Sequence, residues 1–244
     1  MHSEIVQLLG EFLGTFILIL LGNGVVCAVV LRKTKASDAG WIVITLGWGL
    51  AVTIAVYVSG FMSPAHLNPA VTLAMAATGS FSWSLVIPYI AAQLLGAMLA
   101  SIVLWLFYYP HWEVTEDPAS ILGTFSTGPA IRHTPSNFFG EFIGTAVLII
   151  AIMAFGQNKL STGQAPTLVG AIVTAVGLSL GATTGYAINP ARDLGPRIMH
   201  AILPIKNKGK SDWGYSWIPV IGPLFGGTAG ALLFNAIIKF VAKN

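Results

Sequence analysis

Gly185-Tyr186-Ala187-Ile188-Asn189-Pro190-Ala191-Arg192-Asp193 answers an earlier stretch, Ser63-Pro64-Ala65-His66-Leu67-Asn68-Pro69-Ala70-Val71, and this pairing decides the fold. Asn is a favoured helix N-cap, Pro is favoured at the first helical position and Ala sustains a helix, so Asn-Pro-Ala reads as a compact helix start. From average residue usage a chance match arises at roughly 1 position in 5,000. Each start leads into a short apolar segment: residues 70–77, closed by Thr78-Gly79-Ser80, and residues 191–203, closed by Pro204. At ~1.5 Å per residue each reaches about half of a ~30 Å bilayer core. Irregular backbone at membrane depth must be buried in protein or line a watery cavity. Two half-helices, one from each side, therefore imply a lined path through the middle.

Working outward, the pairing belongs to a duplication. Gly10-Glu11-Phe12-Leu13-Gly14-Thr15 returns as Gly140-Glu141-Phe142-Ile143-Gly144-Thr145 at an offset of 130 residues, and Ile87-Pro88 with Gly96 returns as Ile218-Pro219 with Gly227. Long apolar runs at 12–31, 41–59, 85–108, 138–156, 168–183 and 218–241 give six spans, three in each half. An odd number per half inverts the second half across the membrane. The expected architecture is an all-α membrane protein, six transmembrane helices plus two half-helices in an inverted repeat. It forms one channel domain over 1–244, with repeats at 1–110 and 136–244 joined by a long surface loop at 111–135, where Pro, Thr, Ser and Gly accumulate.

Composition agrees with a lipid setting. Of 244 residues, 55% are hydrophobic and only 9% charged, against ~25% charged in soluble domains. The first apolar run has no basic leader and reads as a retained helix. The net charge of +3 comes from short loop clusters, Arg32, Lys33 and Lys35 and then Lys206, Lys208 and Lys210, without interleaved stacking aromatics, which speaks against a nucleic-acid partner. Cys27 is the sole cysteine, so no intrachain disulfide or Cys-cluster metal site can form, and it reads as a packed apolar residue. His66 has no second ligand at metal-binding spacing, so no metal is expected. No Ser-His, Cys-His or paired-carboxylate set emerges, so neither catalytic residues nor a cofactor are expected.

Trp41, Trp83, Trp105, Trp112, Trp213 and Trp217 sit near span ends, as an interfacial belt would place them. Trp48 lies roughly 10 Å into its span, where it either packs in the bundle or faces the path. Glu11 and Glu141 are ionisable groups inside apolar helices and need partners. A proton relay is one reading of them; their symmetric placement suits a scaffolding role.

With both loops, six spans, the repeated Glu and the Ala92-Gln93 and Gly222-Pro223 elements, nearly the whole chain resembles the aquaporin superfamily, and within it the aquaglyceroporin or glycerol facilitator branch. The resemblance implies a right-handed bundle, assembled as a homotetramer with one pore per subunit in the cell membrane. It implies passage of glycerol, other small uncharged solutes and water, with ions and protons excluded. It places Asn68, Pro69, Ala70, Asn189, Pro190 and Ala191 at the pore centre, and Trp48, Gly177, Tyr186 and Arg192 at the narrowest point. Carbonyls of Pro64, Ala65, His66, Gly185, Tyr186 and Ala187 would form a polar ladder, and Glu11 and Glu141 would support the loops.

Water-selective relatives carry His where Gly177 stands, so Gly177 implies a wider opening. Asp193 followed by Gly195-Pro196-Arg197 resembles the glycerol-conducting pattern. Arg192 is expected to be held by loop carbonyls while leaving donors for cargo. Three positions depart from the family pattern: Pro64 and Ala182-Thr183 where Gly and Gly-Pro are common, and Tyr186 for Phe, whose hydroxyl would either narrow the filter or add a hydrogen bond. Family topology puts both termini inside, which leaves the basic clusters outside, against the positive-inside tendency. The alternatives are a water-dominant aquaporin, an ion-coupled small-solute transporter built on a similar inverted repeat, and, more remotely, an intramembrane enzyme.

Overall fold

The computed structural model describes residues 2–244, which form helices and loops with no strand among them. In chain order the helices are α1 (Glu4–Val30), α2 (Trp41–Ser59), α3 (Pro69–Ala77), α4 (Val86–Phe107), α5 (Tyr109–Val114), α6 (Pro118–Gly123), α7 (Thr134–Phe155), α8 (Ala165–Ser179), α9 (Pro190–Ile202) and α10 (Ile218–Val241). Among the described residues five helices are long and apolar enough to cross a membrane: α1, α2, α4 with its leading 3-10 turn, α7 and α10. The remaining span, α8, is offset from the run at 168–183 read from the sequence. Pro166 in its first turn starts α8 early, and α8 ends at Ser179 after 15 residues, about 22 Å of rise, before a 3-10 turn over Gly181–Thr183.

The half-helices begin at Pro69 and Pro190, with the preceding Asn as cap, as the Asn-Pro-Ala reading expects. They exchange partners between the halves: α3 packs mainly on α10, and α9 on α4. Around them α1 packs on α4 and α2, α7 on α10 and α8, and α2 on α8. Equivalent crossings are tight at equivalent places. A Cβ at Gly96 of α4 would collide with the Phe12 carbonyl, and one at Gly226 of α10 with the Phe142 carbonyl. In each half a backbone-to-backbone contact leaves room only for hydrogen. The second of these glycines is Gly226, one residue before the match read from the sequence; Gly227 instead faces the Ala70 carbonyl.

The connection at 111–135 is more than a surface loop. It contains most of α5 and all of α6, and Trp112, Ile121, Phe125 and Thr127 are buried. Trp112 is thereby removed from the interfacial belt: its ring packs beside Phe125 and its Nε1 donates to the Trp105 carbonyl at 2.9 Å. Apolar residues in this segment had no periodic run to mark them as core. Cys27 is buried in the same cluster, with Leu31 and Met199.

Candidate functional site

The two caps bond to one another's loops. Asn68 Oδ1 accepts from Ala70 N at 2.9 Å, while its Nδ2 donates across to the Ile188 carbonyl at 2.8 Å. Asn189 Oδ1 accepts from Ala191 N and Arg192 N, while its Nδ2 donates to the Leu67 carbonyl at 2.8 Å. Each primary amide has two N–H groups. Among the described residues one of each pair has no partner, and both asparagines line the central cavity. Two helix N-termini, each worth about half a positive charge, are thus fixed at one depth.

Before each cap the backbone is forced into left-handed conformations: Ala65 and Leu67 in the first loop (φ 52° and 51°), Tyr186 and Ile188 in the second (φ 38° and 42°). Such angles cost about 1–3 kcal/mol each for non-glycine residues. Buried carboxylates offset that cost. Glu11 accepts from Ser63 Oγ, His66 N, Leu67 N and Gln93 Nε2 at 2.7–2.9 Å. Glu141 accepts from Ala187 N and Ile188 N at 2.9 Å. With N–H groups turned onto the carboxylates, no donor of the described residues reaches the carbonyls of Pro64, Ala65, His66, Gly185, Tyr186 or Ala187. All six residues line cavities: Pro64, Ala65, His66 and Ala187 the inner one, Gly185 the outer vestibule, Tyr186 both. His66 also bonds Thr72 Oγ1 through Nδ1 at 3.2 Å.

An inner cavity of about 330 Å³ runs from Ala165 and Pro166 past both asparagines, and an outer vestibule of about 440 Å³ continues beyond. Trp48, Tyr186 and Arg192 are the three residues that border both cavities, so the path narrows there. The Arg192 guanidinium sits over the Trp48 ring, 4.2 Å from its centroid. Among the described residues its one hydrogen bond to a side chain runs from NH1 to Asn23 Oδ1 at 3.5 Å. The loop-carbonyl cradle expected from sequence is therefore replaced by an aromatic face and an amide on α1. The remaining guanidinium donors are left for whatever passes.

Gly177 stands opposite Tyr186, but it does not border either cavity. A Cβ there would lie 2.7 Å from Tyr186 Cζ and 2.9 Å from its hydroxyl oxygen, so the missing side chain makes a slot that the phenol ring fills. The Gly177 carbonyl accepts from Trp41 Nε1 at 3.1 Å, and Trp41 meets Tyr186 edge-on at 5.7 Å. The added hydrogen bond does not form: the Tyr186 hydroxyl is buried against Gly177 of α8 with no partner among the described residues.

One residue escaped the sequence reading, and so did the structural role of two that it had named. Asn23, buried on α1, donates from Nδ2 to the Phe125 carbonyl at 3.1 Å while facing Arg192 with its oxygen. A polar amide inside an otherwise apolar span was the available signal. On α9, Asp193 and Arg197 form an ion pair at 2.8 Å with both side chains fully buried. Asp193 Oδ2 accepts from Thr127 N and Oγ1, and Arg197 donates to the Thr127, Ser211 and Asp212 carbonyls. This cluster pins the outer connections over the vestibule. At its rim Asp117 caps α6, and hydrogen bonds from the Ser120 hydroxyl and backbone hold its carboxyl below the usual range.

Comparison with known proteins bears on the family and the fold. The family model described as major intrinsic protein matches residues 2–234. The chain is 63% identical over 231 residues to glycerol uptake facilitator protein 3 of Lactiplantibacillus plantarum, covering 95% of this chain and 96% of that one. It is 58% identical over 229 residues to the glycerol uptake facilitator protein of Streptococcus pneumoniae, covering 94% and 98%. Among solved structures, the aquaglyceroporin from Plasmodium falciparum superposes with a TM-score of 0.88 at 30% identity, covering 99% of both chains.

Proposed function

The chain belongs to the major intrinsic protein family of multi-pass membrane channels, and from that premise we propose how this one works: it is a passive channel for glycerol and other small uncharged solutes, conducting water as well. The observation that carries the reading is the three-residue constriction between two cavities. One side of it is aromatic, Trp48 and Tyr186; the other is the Arg192 guanidinium with donors to spare. A polyol has the complementary make-up, with C–H groups along one edge and hydroxyls along the other. Its carbon edge slides on the rings while its hydroxyls accept from Arg192 and donate to the free loop carbonyls.

Below the constriction, the free N–H groups of Asn68 and Asn189 offer donors to one oxygen at a time. The paired half-helix N-termini and Arg192 set a positive potential that repels cations, hydronium included. Glu11 and Glu141 keep the loops in shape, and their oxygens are occupied by loop donors, so neither of these two carboxylates is free to relay protons. Nothing in this sequence of contacts requires a covalent step, so the protein acts as a channel and not as an enzyme. In this reading 1–110 and 136–244 are two inverted halves of one unit joined by 111–135, and four copies stand side by side in the cell membrane.

The test is osmotic. Proteoliposomes shrunk in hyperosmotic glycerol should re-swell many times faster than protein-free vesicles, and labelled glycerol should equilibrate without accumulating. Control-level re-swelling with fast water flux would make the protein a water channel. Accumulation driven by an ion gradient would make it a transporter.

A further inference from the structure

We propose that Asn23 is a specificity-determining positioning residue: it sets where the Arg192 guanidinium stands in the constriction and ties that position to the outer connection. The proposal rests on the glycerol-channel reading above and deepens it.

The argument starts from the orientation of one amide. Asn23 sits on α1, a helix of 27 residues, with 1% of its surface exposed. Its Nδ2 donates to the Phe125 carbonyl at 3.1 Å, and a carbonyl can accept but never donate. The amide oxygen must then face the other way, where it meets Arg192 NH1 at 3.5 Å. A flipped amide would set oxygen against the Phe125 carbonyl and N–H against the guanidinium. Both neighbours therefore select the same orientation.

The amide is well braced and the guanidinium is not. The carbonyl that orients Asn23 lies two residues before Thr127, and Asp193 grips Thr127 at 2.7 Å through both its backbone N–H and its hydroxyl. Arg192, by contrast, has only the Trp48 face and this long bond to keep its side chain in place. Removing the amide oxygen leaves the charge resting on Trp48 alone. Its nearest remaining acceptors are then the solutes and carbonyls of the path, so the guanidinium shifts inward. Glycerol needs more width than water, and its flux falls first.

The experiment uses the full chain in proteoliposomes and reads glycerol and water permeability on the same vesicles. Their ratio does not depend on how much protein was inserted. Asn23→Ala and Asn23→Leu remove donor and acceptor together, and the expected result is a fall in the glycerol-to-water ratio of about three- to fivefold, the worth of one weak hydrogen bond to a charged group. Asn23→Asp keeps an acceptor toward Arg192 but loses the bond to Phe125. It should return the ratio to within about twofold of the parent while remaining less stable.

A ratio unchanged in both Ala and Leu variants overturns the proposal, as does an Asp variant as impaired in ratio as Ala. If Leu fails to insert, Ala and Asp still decide. A parent protein that fails to conduct glycerol would instead sink the channel reading itself, a result visible before any variant is compared.

Discussion

The first and second re-entrant loops share a backbone and differ in what they carry. Both place non-glycine residues at positive φ three and one positions before the capping Asn, both cap a half-helix with that Asn, and both hang from a buried Glu. Yet α3 bears no charged residue, whereas α9 buries Arg192, Asp193, Arg197 and His200. Where the second loop has Tyr186 and Arg192, the first has Ala65 and Val71. The difference teaches that symmetry here builds the path and asymmetry chooses the cargo. The duplicated residues hold the two loops head to head. The unduplicated ones narrow a single end.

Breaking the shared part should cost most, and unequally. Glu11 satisfies four donors and Glu141 two. At about 1–3 kcal/mol per stranded buried group, Glu11→Ala should scarcely accumulate as folded protein, while Glu141→Ala should be recovered with a lowered thermal midpoint in detergent. Equal losses would mean that the carboxylates do more than hold the loops.

Making the second loop like the first is the next largest change. Arg192→Val installs the residue found at Val71 and removes charged donors worth about 1.5–3 kcal/mol, so the glycerol-to-water ratio should shift roughly tenfold or more with the fold intact. Val71→Ala, the matching change in the first loop, should leave the ratio nearly unmoved in the same light-scattering assay. A smaller effect is expected at Gly177→Ala, whose Cβ meets the Tyr186 ring at 2.7 Å and drives it toward the path. Glycerol flux should then fall severalfold more than water flux. Least of all should come from Tyr186→Phe, since that hydroxyl is buried without a partner. Fluxes should stay within experimental scatter and stability should rise by about 1 kcal/mol or less.

The sequence carried the symmetric part well, because duplication writes each structural residue twice and the second copy confirms the first. Asn68 with Asn189 and Glu11 with Glu141 were readable for that reason, and so were the half-helices to within one residue. The asymmetric part was readable only where resemblance supplied it. Nothing in the periodicity says that Gly177 makes a slot for Tyr186, because that fact depends on which way one ring turns. Asn23 and the loop contacts of Asp193 and Arg197 were missed for a related reason: the partners lie in 111–135 and 203–217, irregular connections whose course is set by tertiary contacts. The buried Trp112 fell to the same limit. A tryptophan near a span end looks interfacial until the connection folds over it.

One measurement reaches the central claim directly. Proteoliposomes loaded with a pH-sensitive dye and exposed at once to hyperosmotic glycerol and a pH step report solute flux and proton leak from the same vesicles. The account predicts rapid glycerol-driven re-swelling while the pH difference decays no faster than in protein-free vesicles. Proton leak rising with protein content, or re-swelling at the protein-free rate, would contradict it.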